Sequence, residues 1–203
     1  MQQFYERYKN GYSDSPEHAI DFYNENLILF RNTTQFKNEN EFIIFISVYY
    51  ELVTAFVKKK QYKNAIKALG ILPVIEKAID DFKIGRSTLN NYRWLLFQQA
   101  IALYNLRHFH ASKKIFKVLL SYDIENDNLK LWIENSNLGL IQKTLPAILS
   151  IAVLSFIGEI ISKSTNYITI HHVCNIVAAM AFLTSLIIVT YTQWKSTKKK
   201  IIN

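Results

Sequence analysis

Leu145-Pro146-Ala147-Ile148-Leu149-Ser150-Ile151-Ala152-Val153-Leu154-Ser155-Phe156-Ile157-Gly158-Glu159-Ile160-Ile161-Ser162 lies between Lys143 and Lys163 and holds one charge, Glu159. A second apolar run, Val173 to Tyr191, follows a short polar break and holds none. Each run is close to the roughly 20 residues a helix needs to cross about 30 Å of hydrocarbon. A helix also satisfies its own backbone groups there. The pair reads as a transmembrane hairpin over 144–194, with spans near 145–162 and 173–191. The competing reading, two buried helices of a soluble bundle, needs more apolar mass around both runs than the rest of the chain offers. Neither run is an N-terminal signal peptide, since both stand late in the chain.

Basic residues give the orientation. Lys195, Lys198, Lys199 and Lys200 follow the second run at once, whereas the connection 163–172 holds only Lys163 with His171 and His172. The positive-inside tendency then places both chain ends in the cytoplasm, with the Ser164-Thr165-Asn166-Tyr167 connection outside. The expected location is the cytoplasmic membrane. Tyr167 on the outer side, and Tyr191 with Trp194 on the inner, are the aromatic anchors such a hairpin uses. The lysines of the 195–203 tail also suit anionic lipid headgroups.

Working outward, residues 1–143 carry 19 basic against 15 acidic residues, so only half of the +8 net charge belongs to them. The rest comes from the five lysines beyond, less Glu159. Charge this dispersed, with no arginine cluster and no interleaved aromatic and basic motif, argues against a nucleic-acid partner. Five Gly and three Pro disfavour a turn-rich β protein and suit long helices. Cys174 is the sole cysteine and makes no internal disulfide, which fits a reducing compartment.

From the N-terminus, a short helix is expected up to Asn10-Gly11. Ser15-Pro16-Glu17 then forms a capped helix start, and Ala19, Ile20, Phe22, Tyr23, Leu27 and Phe30 follow at helical spacing as far as Asn32. A long helix is predicted from about Asn40 to Lys60, with Phe42, Phe45, Tyr49, Leu52 and Phe56 on one stripe. The next runs from Gln61-Tyr62 to Phe82 with a break near Gly70 to Pro73. Two further helices, about Leu89–Leu106 and a partner ending near Tyr122, precede a polar break at 123–128. A last helix from Leu129 to Gln142 leads into the membrane. The fold class is all-α, in consecutive antiparallel pairs. The second helix of each pair opens near an alanine, Ala19, Ala65 and Ala111, at intervals of 46 residues. Small residues there let paired helices approach closely, and such a period means stacked helical hairpins.

In the middle pair, Tyr49, Leu52, Ala55, Phe56, Tyr62, Ala65 and Leu69 resemble the signature of the tetratricopeptide family at its own spacings. Val53 stands where that family has a glycine, the closing proline has no counterpart, and the period exceeds the usual 34. The resemblance implies a curved stack of helical hairpins whose concave face holds a peptide or a protein.

Glu159 is the sharpest candidate for a functional residue, because an ionisable group inside a membrane span is costly and normally faces protein or water. His171, His172 and Asn175 fall at similar depth in an antiparallel hairpin. Ala152, Ser155, Glu159 and Ser162 recur at helical spacing on the first span, as do Cys174, Ala178, Ala181 and Ser185 on the second. Stripes of small and polar residues are where membrane helices meet. They form either a seam within one hairpin or the lining of a pore or subunit contact among several copies. His108 and His110 have no further ligands in register and read as a solvated turn rather than a metal site. Trp94, Phe97, Ile101 and Tyr104 have the spacing of a helix core. Without a phosphate loop, nucleophile elbow or zinc spacing, the chain is expected to be no enzyme and to use no cofactor. The leading expectation is a membrane-anchored, non-enzymatic interaction protein that contacts lipid and an unidentified protein partner. The alternative is a homo-oligomeric membrane effector whose hairpins form or gate a pore.

Overall fold

A computed structural model of the chain describes residues 2–12, 15–164, 173 and 176–191. The helices are α1 (Gln2–Gly11), α2 (Pro16–Glu25), α3 (Leu27–Asn32), α4 (Glu39–Lys58), α5 (Tyr62–Ala68), α6 (Leu72–Asp81), α7 (Asn90–Asn105), α8 (Phe109–Tyr122) and α9 (Asp127–Ser164). A 3-10 turn, Leu69–Ile71, joins α5 to α6, and the apolar helix Ile176–Tyr191 is α10. No strand occurs among the described residues, so the all-α class holds. Contacts divide the chain into two units, Met1–Ser136 and Asn137–Asn203, and α9 runs from the first into the second.

Helix ends in the first unit follow local chemistry. Ser15 caps α2 by accepting the His18 amide at 3.1 Å, with Pro16 in the first turn. Asn38 caps α4 in the same way through the Glu41 amide at 2.9 Å. The single helix expected from Pro16 to Asn32 is instead two. Asn26 donates its side-chain amide to the Phe22 carbonyl at 2.8 Å, and its backbone N–H reaches the same oxygen at 3.1 Å. Asparagine offers the backbone an alternative to the helical ladder, and the chain takes it there. Lys60, Lys83 and Arg107 adopt left-handed φ of 58°, 54° and 61° after α4, α6 and α7. Behind each, the next amide bonds back five residues, as in Gln61 to Phe56 (2.8 Å) and His108 to Leu103 (2.9 Å). These are helix stops of the glycine-cap kind made by basic residues.

α4 is the central helix: it packs against α1, α2, α5, α6 and α7. Its Phe42, Phe45, Ile46, Val48, Tyr49, Leu52 and Val53 are fully or almost fully buried. Phe45 stacks on Tyr49 at 5.3 Å and meets Phe30 and Phe36 edge-on or tilted. Tyr49 donates its buried hydroxyl to the Ala68 carbonyl at 2.5 Å, tying α4 to α5. Beyond it, α7 packs on α4, α5 and α8, and Trp132 at the start of α9 stacks on Phe116 of α8 at 5.5 Å.

The third pair departs from the expected 46-residue interval. Counting from the cap, Ala19 and Ala65 are the fourth residues of α2 and α5, and the fourth residue of α8 is Ser112, not Ala111. Ser112 is fully buried and donates to the Ala100 carbonyl of α7 at 2.9 Å, while Ala111 is only half-buried. A serine serves where an alanine was expected because the facing carbonyl satisfies its hydroxyl. Ser112→Leu is therefore expected to cost about 1–3 kcal/mol by overpacking, and Ala111→Leu much less. Urea denaturation of the two variants checks this; equal losses would contradict the register.

Burial lifts the phenols of Tyr8, Tyr49 and Tyr92 above their ordinary value of 10.0, with Glu51 adding to the effect at Tyr8 and Glu76 at Tyr92. The fold keeps these protons while the unfolded chain releases them from pH 10 upward, so stability is intact below pH 10 and falls above it. Absorbance at 295 nm should show these three of the 12 tyrosines ionising only together with loss of helical circular dichroism. All 12 ionising near pH 10 with helicity intact would contradict the burial.

Candidate functional site

Among the described residues two helices are long and apolar enough to cross a membrane, and burial separates them. The α4 window is 50% buried, and those buried side chains form the core just described. The window in α9, reaching Gly158, is 0% buried. Its large side chains face outward, among them Ile151 (51% exposed), Leu154 (67%) and Phe156. α10 is shorter and similar, with Phe182, Leu183 and Ile187 exposed. Contiguous apolar surface of this kind on a soluble monomer would exceed what water tolerates, and it marks a membrane or protein contact.

Hydroxyls in these helices turn inward on their own backbones. Ser150 donates to Pro146 O (2.9 Å), Thr184 to Met180 O (2.7 Å), Ser185 to Ala181 O (2.8 Å) and Thr190 to Leu186 O (2.8 Å). Such bonds are what a polar side chain needs where no water is available. Pro146, inside α9, lacks an N–H and marks the entry to the apolar stretch.

The described residues of the expected stripes are less exposed than the faces around them. Ala152 and Ser155 are half-buried on α9, where Ile148 and Gly158 extend the same line. On α10, Ala181 and Ser185 are buried, and Ala178 and Ile188 are half-buried beside them. Ile148, Gly158 and Ile188 were not singled out in the sequence, although helical spacing from Ala152, Ser155 and Ser185 reaches them. Glu159 and Ser162 sit on the α9 backbone, and their side chains lie outside the described residues. His171, His172, Cys174, Asn175 and the lysines Lys195, Lys198, Lys199 and Lys200 lie outside them as well.

In the first unit, the Trp94–Phe97–Ile101–Tyr104 face meets expectation in part, since Phe97 and Ile101 pack half-buried against the core. The fully buried residues of α7 are Tyr92, Leu95, Leu96, Ala100 and Ala102. Trp94 is 50% exposed, and Phe97, Ile101 and Tyr104 are half-buried. Trp94 meets Phe97 edge-on at 5.5 Å and lines a cavity of about 310 Å³ with Arg93, Asn90 and Asn128. An exposed indole beside amide side chains is suited to holding a peptide. His108 and His110 are exposed, and among the described residues no group of three His, Cys, Asp or Glu could hold a metal ion. Comparison with protein-family models, curated proteins and solved structures finds no match.

Proposed function

We propose that the chain is a membrane-anchored, non-enzymatic interaction protein. α9 from about residue 145, together with α10, forms a hairpin through the cytoplasmic membrane, with both chain ends in the cytoplasm. The first unit is a divergent tetratricopeptide-like stack that holds a protein or peptide. The observation that carries this reading is the contrast between a unit that buries its apolar side chains and a segment that displays Leu154, Phe182 and Ile187. The corrected register supports the stack. Shifted by 47 residues, Tyr49, Ala55, Ala65 and Leu69 become Leu96, Ala102, Ser112 and Phe116, all buried in both sets. Ala100 then stands where Val53 does, closer to the small residue the family prefers.

A photo-crosslinking amino acid at position 94, in full-length protein in native membranes, is expected to give a discrete adduct with another protein. The same group at Val118, exposed on α8, should give none. Absence of any adduct at 94 would contradict a partner at this face. A ladder of self-adducts, with ion leak on expression that Glu159→Ala abolishes, would overturn the adaptor reading in favour of a pore-forming oligomer.

A further inference from the structure

A second cavity of the first unit, about 320 Å³, opens between α3, α4 and the α5 end with its 3-10 turn. That volume falls within the range of small-molecule sites. Its inner wall is apolar: Tyr23, Phe30 and Tyr49 are buried there, with Tyr23 and Phe30 stacked at 5.2 Å and 11°. Ile71 and Val74 line the same space.

Two cations converge on it. Arg31 and Lys67 both line the cavity, and neither has a carboxylate partner among the described residues. The described ion pairs use Arg7, Lys9, Lys59, Arg86, Arg93 and Lys130, none of which lines this cavity. Other cations of the unit stand outside these pairs as well, and what sets Arg31 and Lys67 apart is that they share one cavity. Each of the two also sits in the last turn of a short helix, where a cation is favoured. That accounts for their sign but not for their meeting at one cavity without a counter-charge. The Thr33 hydroxyl is spent on the Leu29 carbonyl (2.8 Å), whereas that of Thr34, also on the wall, makes no hydrogen bond among the described residues.

We propose that this cavity binds a phosphate monoester carried on a planar ring, of mononucleotide size, with Arg31 and Lys67 clamping the phosphate. A phosphate monoester carries about −1.5 to −2 charge at neutral pH, which matches two unpaired cations better than the single charge of a carboxylate. Arg31 supplies a fork for two phosphate oxygens and Lys67 a point charge. The ring lies against Ile71, Val74 and the edges of the buried tyrosines. Both a soluble ester and a lipid headgroup can present this phosphate, and the apolar inner wall, which gives a ring a surface to lie on, favours the soluble, ring-bearing source. The site is independent of whether the chain spans a membrane.

The test is calorimetric titration of the full-length protein in neutral detergent with adenosine 5′-monophosphate, phenyl phosphate, adenosine and inorganic phosphate. Both esters should bind, with adenosine and inorganic phosphate at least about tenfold weaker. Arg31→Ala or Lys67→Ala should each weaken the esters by about ten- to a hundredfold. Gly70→Leu provides a plug: Gly70 lines the cavity, its φ is ordinary, and a Cβ there meets nothing within 4 Å. That variant should lose binding while keeping its melting temperature. Unchanged binding in Gly70→Leu, unchanged binding in the charge variants, or no binding of either ester would each overturn the proposal. So would inorganic phosphate binding as tightly as the esters. If phosphatidic acid vesicles bind through Arg31 and Lys67 while the soluble esters do not, the source is a headgroup and the soluble-ligand assignment is wrong.

Discussion

Replacing Ile151 and Leu154 together with arginine is expected to move the full-length chain from the membrane pellet to the soluble fraction. On the insertion scale, an arginine at mid-span costs about 2.5–3.5 kcal/mol, and each lost Ile or Leu forfeits a further 0.3–0.6 or so. The two changes together therefore cost roughly 6–8 kcal/mol, several orders of magnitude in partition. Both side chains are more than half exposed, so the same changes in a soluble helix would alter stability by about 0.5 kcal/mol or less. Fractionation after carbonate extraction separates the two cases. Retention of the double variant in the pellet would mean that the α9 surface is not what holds the chain to the bilayer.

The second large effect belongs to the core of the first unit. Phe45 is fully buried and contacts the rings of Phe30, Phe36 and Tyr49, so Phe45→Ala should cost about 3–5 kcal/mol through lost transfer energy and the cavity left behind. Domains of this size have about 5–15 kcal/mol in total, and that loss brings the unit near its unfolding threshold at growth temperature. Trp94→Ala, larger still in volume removed but half exposed, should change stability by about 1 kcal/mol or less. Urea denaturation followed by circular dichroism gives both numbers. Similar losses for the two variants would mean that α7, rather than α4, bears the core.

How far the sequence foretold these results depends on which kind of signal each feature left. α4 was legible because its apolar residues recur over five turns, while its Asn38 cap, two residues before the expected start, was not read. The break at Asn26 was not, since the asparagine leaves the apolar periodicity of Phe22, Leu27 and Phe30 untouched and acts only through a hydrogen bond to Phe22. In the third pair the buried small residue was expected one position too early because alanine was sought by type. The position is set by distance from the helix cap, and His108 gives no capping signal. Trp94 was taken for core on spacing alone, which fixes the face a residue shares but not which face is covered. The lower exposure of Ala152, Ser155, Ala178, Ala181 and Ser185 follows the helical spacing of small residues inside an apolar run. The cavity of Arg31 and Lys67 left no trace, because the two cations are 36 residues apart in the chain and no local pattern links them.

Lipid contact along α9 and α10 is the claim on which the functional account stands, and depth-dependent quenching measures it most directly. With Cys174→Ser removing the sole native thiol, Leu154→Cys and Ile187→Cys carry a fluorescent label in bilayer-reconstituted protein. The account predicts strong quenching of both labels by brominated acyl chains and almost none by aqueous iodide. Labels quenched by iodide and untouched by the brominated lipid would contradict it.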